Sequence, residues 1–101
     1  MSEQSADDGT PITLWDAENE KLWRTLRSTT GAKVDVSGEH DHTGFTIHIR
    51  YVRWYDLTSE RHREMEYTVP PREVSVPRVR DRLKIMLRDA IQAARQDMGA
   101  R

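Results

Sequence analysis

Apolar positions along the chain fall into two helical stripes separated by three stretches of alternation. Trp15, Asn19, Leu22, Trp23 and Leu26 share one stripe at helical spacing and predict a helix from about Asp16 to Thr29. Thr13 or Asp16 is placed to cap it, Glu18 and Glu20 suit the positive end of its dipole, and Gly31 is placed to end it in a left-handed turn. Val79, Leu83, Met86, Leu87, Ala90, Ile91 and Ala94 occupy one face about 140° wide, the strongest periodic signal in the chain. They predict a second helix from about Ser75 or Val76 to Asp97, with Ser75 as cap and Pro77 in the first turn. Ile85 lies about 240° from Val79, on the opposite side of that helix, where it would matter only as part of a homodimer patch.

Between the helices, Lys33–Ser37 alternates polar and apolar residues and reads as a short strand. Ser37–Gly44, polar with glycine near both ends, reads as a hairpin loop. A long strand is expected from Phe45 to about Tyr55, with Phe45, Ile47, Ile49 and Tyr51 on one face. After a turn over Asp56–Arg61, a third strand over His62–Val69 points Met65, Tyr67 and Val69 inward. Inward positions are odd-numbered on both strands, so paired residue numbers must add to an even total; a total of 118 would set Tyr51 opposite Tyr67 and Ile49 opposite Val69. Pro70, Pro71 and Pro77 bracket a linker that cannot join a central ladder. The fold class expected is α+β: a single αβββα domain over residues 11–101, a three-stranded antiparallel meander with two helices on one face.

Charge changes this picture at the amino end. The chain has 101 residues and a formal net charge of −1. Its first 20 residues carry six acidic and no basic side chains, and the remainder carries a surplus of five positive charges. Residues 1–10 lack apolar periodicity and read as a disordered acidic tail. The absence of cysteine excludes disulfides, thiolate metal sites and cysteine nucleophiles. No run of apolar residues suffices for a membrane span, and the opening residues are the reverse of a secretory signal, so a cytoplasmic location without membrane attachment is expected.

Candidate chemistry is sparse. His40, Asp41 and His42 form an H-x-H that could share a metal with His48 or His62, but a solvated polar loop accounts for it, and no metal or cofactor is expected. Ser37, Ser59 and Ser75 sit where turns or caps explain them, and Glu64 and Glu66 would lie opposite Trp54 and Val52 with Arg50 diagonal to Glu66, an ordinary ion pair, so no enzymatic role is expected. The outer sheet face is more distinctive. His48, Arg50, Val52 and Trp54 would lie there beside His62, Glu64, Glu66 and Thr68, an apolar–arginine patch of the kind found at interface centres. A β-bulge near Tyr51–Arg53 would instead turn Val52 and Trp54 into the core and return Arg53 to water.

The second candidate surface is the basic run Arg72, Arg78, Arg80, Arg82 and Lys84 around the start of the second helix, where cations oppose the helix dipole and anions would be welcome. Helix, three strands and helix, with Gly38, Glu39 and His40 leading into the strand Phe45–Arg50, resembles the layout of double-stranded RNA-binding domains. That resemblance implies a hairpin loop, with His40, entering a minor groove and the start of the second helix crossing phosphates. In this chain the arginines alternate with apolar residues, and Glu39 and Asp41 put negative charge in the loop. The leading expectation is therefore a non-enzymatic protein-interaction module (adaptor, regulator or inhibitor-like) that meets a protein through His48, Arg50, Val52 and Trp54. The alternative is nucleic-acid binding through Arg72, Arg78, Arg80, Arg82 and His40.

Overall fold

A computed structural model describes residues 13–31, 33–52 and 62–99, so the expected tail over residues 1–10 lies outside the described residues. The order is α1 (Ala17–Thr30), β1 (Val34–Asp41), β2 (Gly44–Val52), β3 (His62–Val69), a 3₁₀ turn (Pro71–Glu73) and α2 (Val76–Gly99). The strands form one antiparallel sheet in the order β1-β2-β3. This is the αβββα arrangement that the periodicities predict.

Asp16 caps α1 by accepting a hydrogen bond from the Asn19 amide at 2.8 Å, and Gly31 ends it at φ 67°. Ser75 holds the start of α2: its hydroxyl accepts from the Arg78 amide at 3.3 Å. All seven residues of the predicted α2 stripe are buried, with Val79, Leu83 and Leu87 fully inaccessible. They pack with Leu14, Leu26 and the odd-numbered row of β2, Phe45, Ile47, Ile49 and Tyr51, into one core. Burial of each large side chain contributes about 1.5–3 kcal/mol, so this layer supplies most of the favourable term.

The helices run in roughly the same direction. Near their starts Asn19, fully buried, donates from Nδ2 to the carbonyls of Leu14 (3.0 Å) and Arg80 (3.2 Å). Farther along, Lys21, Arg24 and Ser28 of α1 share a cleft with Arg95 of α2. Glu18 bridges the same seam, accepting from Lys84 Nζ at 3.1 Å and Arg88 Nη2 at 2.8 Å.

Two expectations are corrected. Ser37–Gly44 is not an open loop: β1 continues to Asp41, paired with Gly44 around a two-residue turn at His42 and Thr43. Gly38 permits this, because a Cβ there would lie 2.7 Å from the Phe45 ring that crosses it. The β2–β3 register is also four residues from the expected one, with Phe45 opposite Val69, Ile47 opposite Tyr67, Ile49 opposite Met65 and Tyr51 opposite Arg63. Parity survives, so Met65, Tyr67 and Val69 keep the helix side of the sheet, but Tyr67 is corrected from core to surface: it is 37% exposed, with Arg82 stacked on its ring. The prolines explain the shift: the expected register sets His48 and Ile47 opposite Pro70 and Pro71, which lack the amide hydrogen a ladder needs. The observed one pairs Phe45–Val52 with β3 and ends at Val69.

Gly44 closes this arrangement. Its φ is +125°, and a Cβ on it would fall 2.0 Å from the Val69 carbonyl oxygen of the neighbouring strand. Gly44→Ala is therefore expected to lower unfolding stability by about 2 kcal/mol or more in urea denaturation; an unchanged midpoint and slope would contradict this packing.

Candidate functional site

The alternation of β2 turns its even-numbered residues away from the helices. Thr46, His48 and Arg50 thus share the outer face with Asp35, Ser37 and Glu39 of β1 and Glu64, Glu66 and Thr68 of β3. The observed register sets His48 opposite Glu66 and Arg50 opposite Glu64. His48 Nε2 lies 3.4 Å from Glu64 Oε1, Arg50 Nε lies 3.9 Å from Glu64 Oε2, and the hydroxyls of Thr46 and Thr68 meet at 2.9 Å. These exposed contacts are each worth roughly 0.2–1 kcal/mol, too little to dictate the residue choice. Ser37, Glu39, Thr46, His48 and Glu66 line a shallow groove across the face.

Of the four residues expected there, the structure brings His48 and Arg50 together around Glu64. The backbone of β2 stays in regular register through Val52, which pairs with His62, so no bulge interrupts it up to that point. The Val52 side chain and all of Trp54, with the turn expected over Asp56–Arg61, lie outside the described residues.

The basic run divides by its position around α2. Arg80 points toward α1, its Nε donating to the Thr13 carbonyl at 3.2 Å. Arg82 stacks on the Tyr67 ring, 3.9 Å from its centroid, a cation–π contact that covers a residue on the edge strand β3. Lys84 is held by Glu18, whose hydrogen bond raises the lysine pKa above its ordinary value. Arg78 approaches Glu73 at 3.9 Å, and Arg72 is exposed in the 3₁₀ turn. His40 lies in β1 beside the Phe45 ring, at a centroid distance of 5.8 Å, near the same end of the molecule as Thr13 and the start of α2. Four members of the basic run, Arg78, Arg80, Arg82 and Lys84, thus make contacts within the fold.

The H-x-H motif is also reshaped. His40 and Asp41 belong to the strand and His42 to the turn. Among the described residues, no group of three or more His, Asp or Glu is arranged to hold a metal. Asp41 instead binds the turn: its Oδ1 accepts from the Thr43 hydroxyl at 2.6 Å and the Thr43 amide at 2.9 Å.

No protein-family description, curated protein or solved structure matches the chain. The site is therefore read from its own residues. Among the described residues no helix is long and apolar enough to cross a membrane.

The sequence reading missed a third surface. Lys21, Arg24 and Arg27 follow one another at three-residue spacing along α1, and packing adds Arg95 from α2 and Lys33 from the start of β1. The spacing was visible in the sequence, but the arrival of Arg95 and Lys33 is a tertiary event.

The Asp41 contacts yield a titration test. The Thr43 side-chain hydrogen bond, then the Thr43 amide, hold the carboxyl below its ordinary value of 3.8. A depressed acid stabilises the fold above its unfolded-state pKa and loses that contribution as pH falls through the folded value. Thr43→Ala should move the Asp41 carboxyl titration, followed by ¹³C NMR, up toward 3.8; an unmoved curve would show that the turn does not set it.

Proposed function

We propose that the chain is a non-enzymatic, cytoplasmic protein-interaction module, adaptor, regulator or inhibitor-like, whose outer sheet face receives a cationic segment of a protein partner. The observation that carries this reading is the charge of a sheet face left bare by both helices. Among the described residues it bears Asp35, Glu39, Asp41, Glu64 and Glu66 against Lys33 and Arg50. Complementary charge speeds encounter and excludes like-charged partners. The groove from Ser37 and Glu39 across Thr46 and His48 to Glu66 offers hydroxyl, imidazole and carboxylate groups to an extended chain. The apolar–arginine interface that the sequence suggests would adjoin this groove through Val52 and Trp54, with Trp54 as the anchor that an interface centre favours.

The fold's use of Arg80, Arg82 and Lys84 in its own contacts argues against the start of α2 as the principal surface. Titration of ¹⁵N-labelled protein with a twelve-residue peptide alternating Lys or Arg with Thr and Val tests the assignment. Amide shifts are expected at Thr46, His48, Arg50, Glu64 and Glu66, and a Glu64→Lys, Glu66→Lys double variant should bind at least tenfold more weakly. Equal binding by the correctly folded double variant would sink the reading. A Trp54→Ala variant should weaken the same titration if Trp54 anchors the partner.

A further inference from the structure

The solvent side of α1 holds more like charge than the fold requires. Lys21, Arg24, Thr25, Ser28 and Thr29 line a cleft with Arg95, and a second cleft sharing Arg24 and Ser28 continues over Trp23, Arg27, Gly31 and Lys33. Glu20 meets Arg24 at 3.3 Å, and Asp35, which also lines the second cleft, meets Lys33 at 4.0 Å. Arg27 lies over the Trp23 ring at 4.8 Å, and its position in the last helical turn also suits the helix dipole. Those contacts leave an excess of three positive charges among Lys21, Arg24, Arg27, Lys33 and Arg95.

Elsewhere the two helices handle cations differently. At their seam, Lys84 and Arg88 converge on Glu18. Around Lys21 and Arg24, packing instead brings Arg95 in as a further cation, and like charges gathered this way destabilise a fold. An external anion would reverse that cost. The row from residue 21 to residue 27 is about 9 Å long, and Lys33 and Arg95 extend it. A strip of this length on an open surface suits a string of phosphates better than one small anion. Four of its five cations sit on helices, and Thr25 and Thr29 turn their hydroxyls back onto the helix carbonyls, so the surface offers charge without groups arranged to read bases.

We propose that the α1 face, with Lys33 and Arg95, is a docking surface for the phosphate backbone of a nucleic acid, bound without sequence preference. This surface meets the sheet face at Lys33 and Asp35 but shares no residue with the groove from Ser37 to Glu66, and its test does not depend on that reading.

Fluorescence anisotropy of the full chain with a labelled 20-base-pair duplex, in DNA and RNA forms, provides the test. Binding at 50 mM KCl should weaken about 100-fold by 200 mM, as release of counterions from three or four phosphates requires. A Lys21→Glu, Arg24→Glu variant should bind at least tenfold more weakly and lower the salt slope by about two. A milder Lys33→Ala, Arg95→Ala variant should show the same effect in smaller degree, which keeps the test valid if charge reversal impairs folding. Arg72→Ala, Arg78→Ala should bind within twofold of the parent. The proposal is overturned by an absence of binding at 50 mM KCl, by loss of binding in the Arg72, Arg78 variant alone, or by phosphatidylserine vesicles binding the same residues more tightly than the duplex.

Discussion

A single sheet has two faces, and among the described residues apolar side chains line only one of them in quantity. The row Phe45, Ile47, Ile49 and Tyr51 leaves water beneath the helices, packed in one core with the stripe from Val79 to Ala94 and with Leu14 and Leu26. That pairing decides the rest. It places both helices on one side, leaves the even-numbered residues of β2 in solvent, and makes β1 and β3 the edges. Trp23 then covers part of one edge by donating from Nε1 to the Val34 carbonyl at 3.1 Å, and Arg82 covers Tyr67 on the other. Ile85, 45% exposed, remains a lone apolar residue on the far side of α2.

The polar contacts refine this frame rather than create it. Asn19 lies fully buried between the helices and ties two backbone carbonyls to one amide, which fixes how far α1 can slide along α2. Glu18 fixes the same seam from outside through Lys84 and Arg88. Because these contacts take up cations at the start of α2, the positive surplus of the body appears instead along α1. Five acidic residues, Asp35, Glu39, Asp41, Glu64 and Glu66, share the bare sheet face. The described residues therefore present a cationic strip along α1 and an acidic sheet face.

Much of this was legible in the residues, for identifiable reasons. The α2 stripe, the Asp16 cap, the Gly31 terminus and the inward parity of β2 follow from local rules whose period or chemistry leaves few alternatives. The β2–β3 register was not legible from parity alone, because shifts by two or four residues keep the same faces buried; the Pro70–Pro71 stop was the further clue. The length of β1 was hidden because Ser37, Glu39 and Asp41 face water and Gly38 packs through its missing side chain, so alternation carried no apolar signal there. Arginines two apart at the start of α2 read as one basic run. On a helix they point to different neighbours, and Arg80, Arg82 and Lys84 are each engaged by a different part of the fold.

The division of charge between the layers is the claim on which both binding surfaces rest, and it can be measured without knowing any partner. Paramagnetic relaxation enhancement of backbone amides, compared between a cationic and an anionic nitroxide of the same size, reports the local potential residue by residue. The cationic probe is predicted to dominate at Ser37, Glu39, Thr46, His48 and Glu66, and the anionic probe at Lys21, Arg24, Ser28 and Arg95. A ratio of the two enhancements that is uniform over both sets would contradict the account.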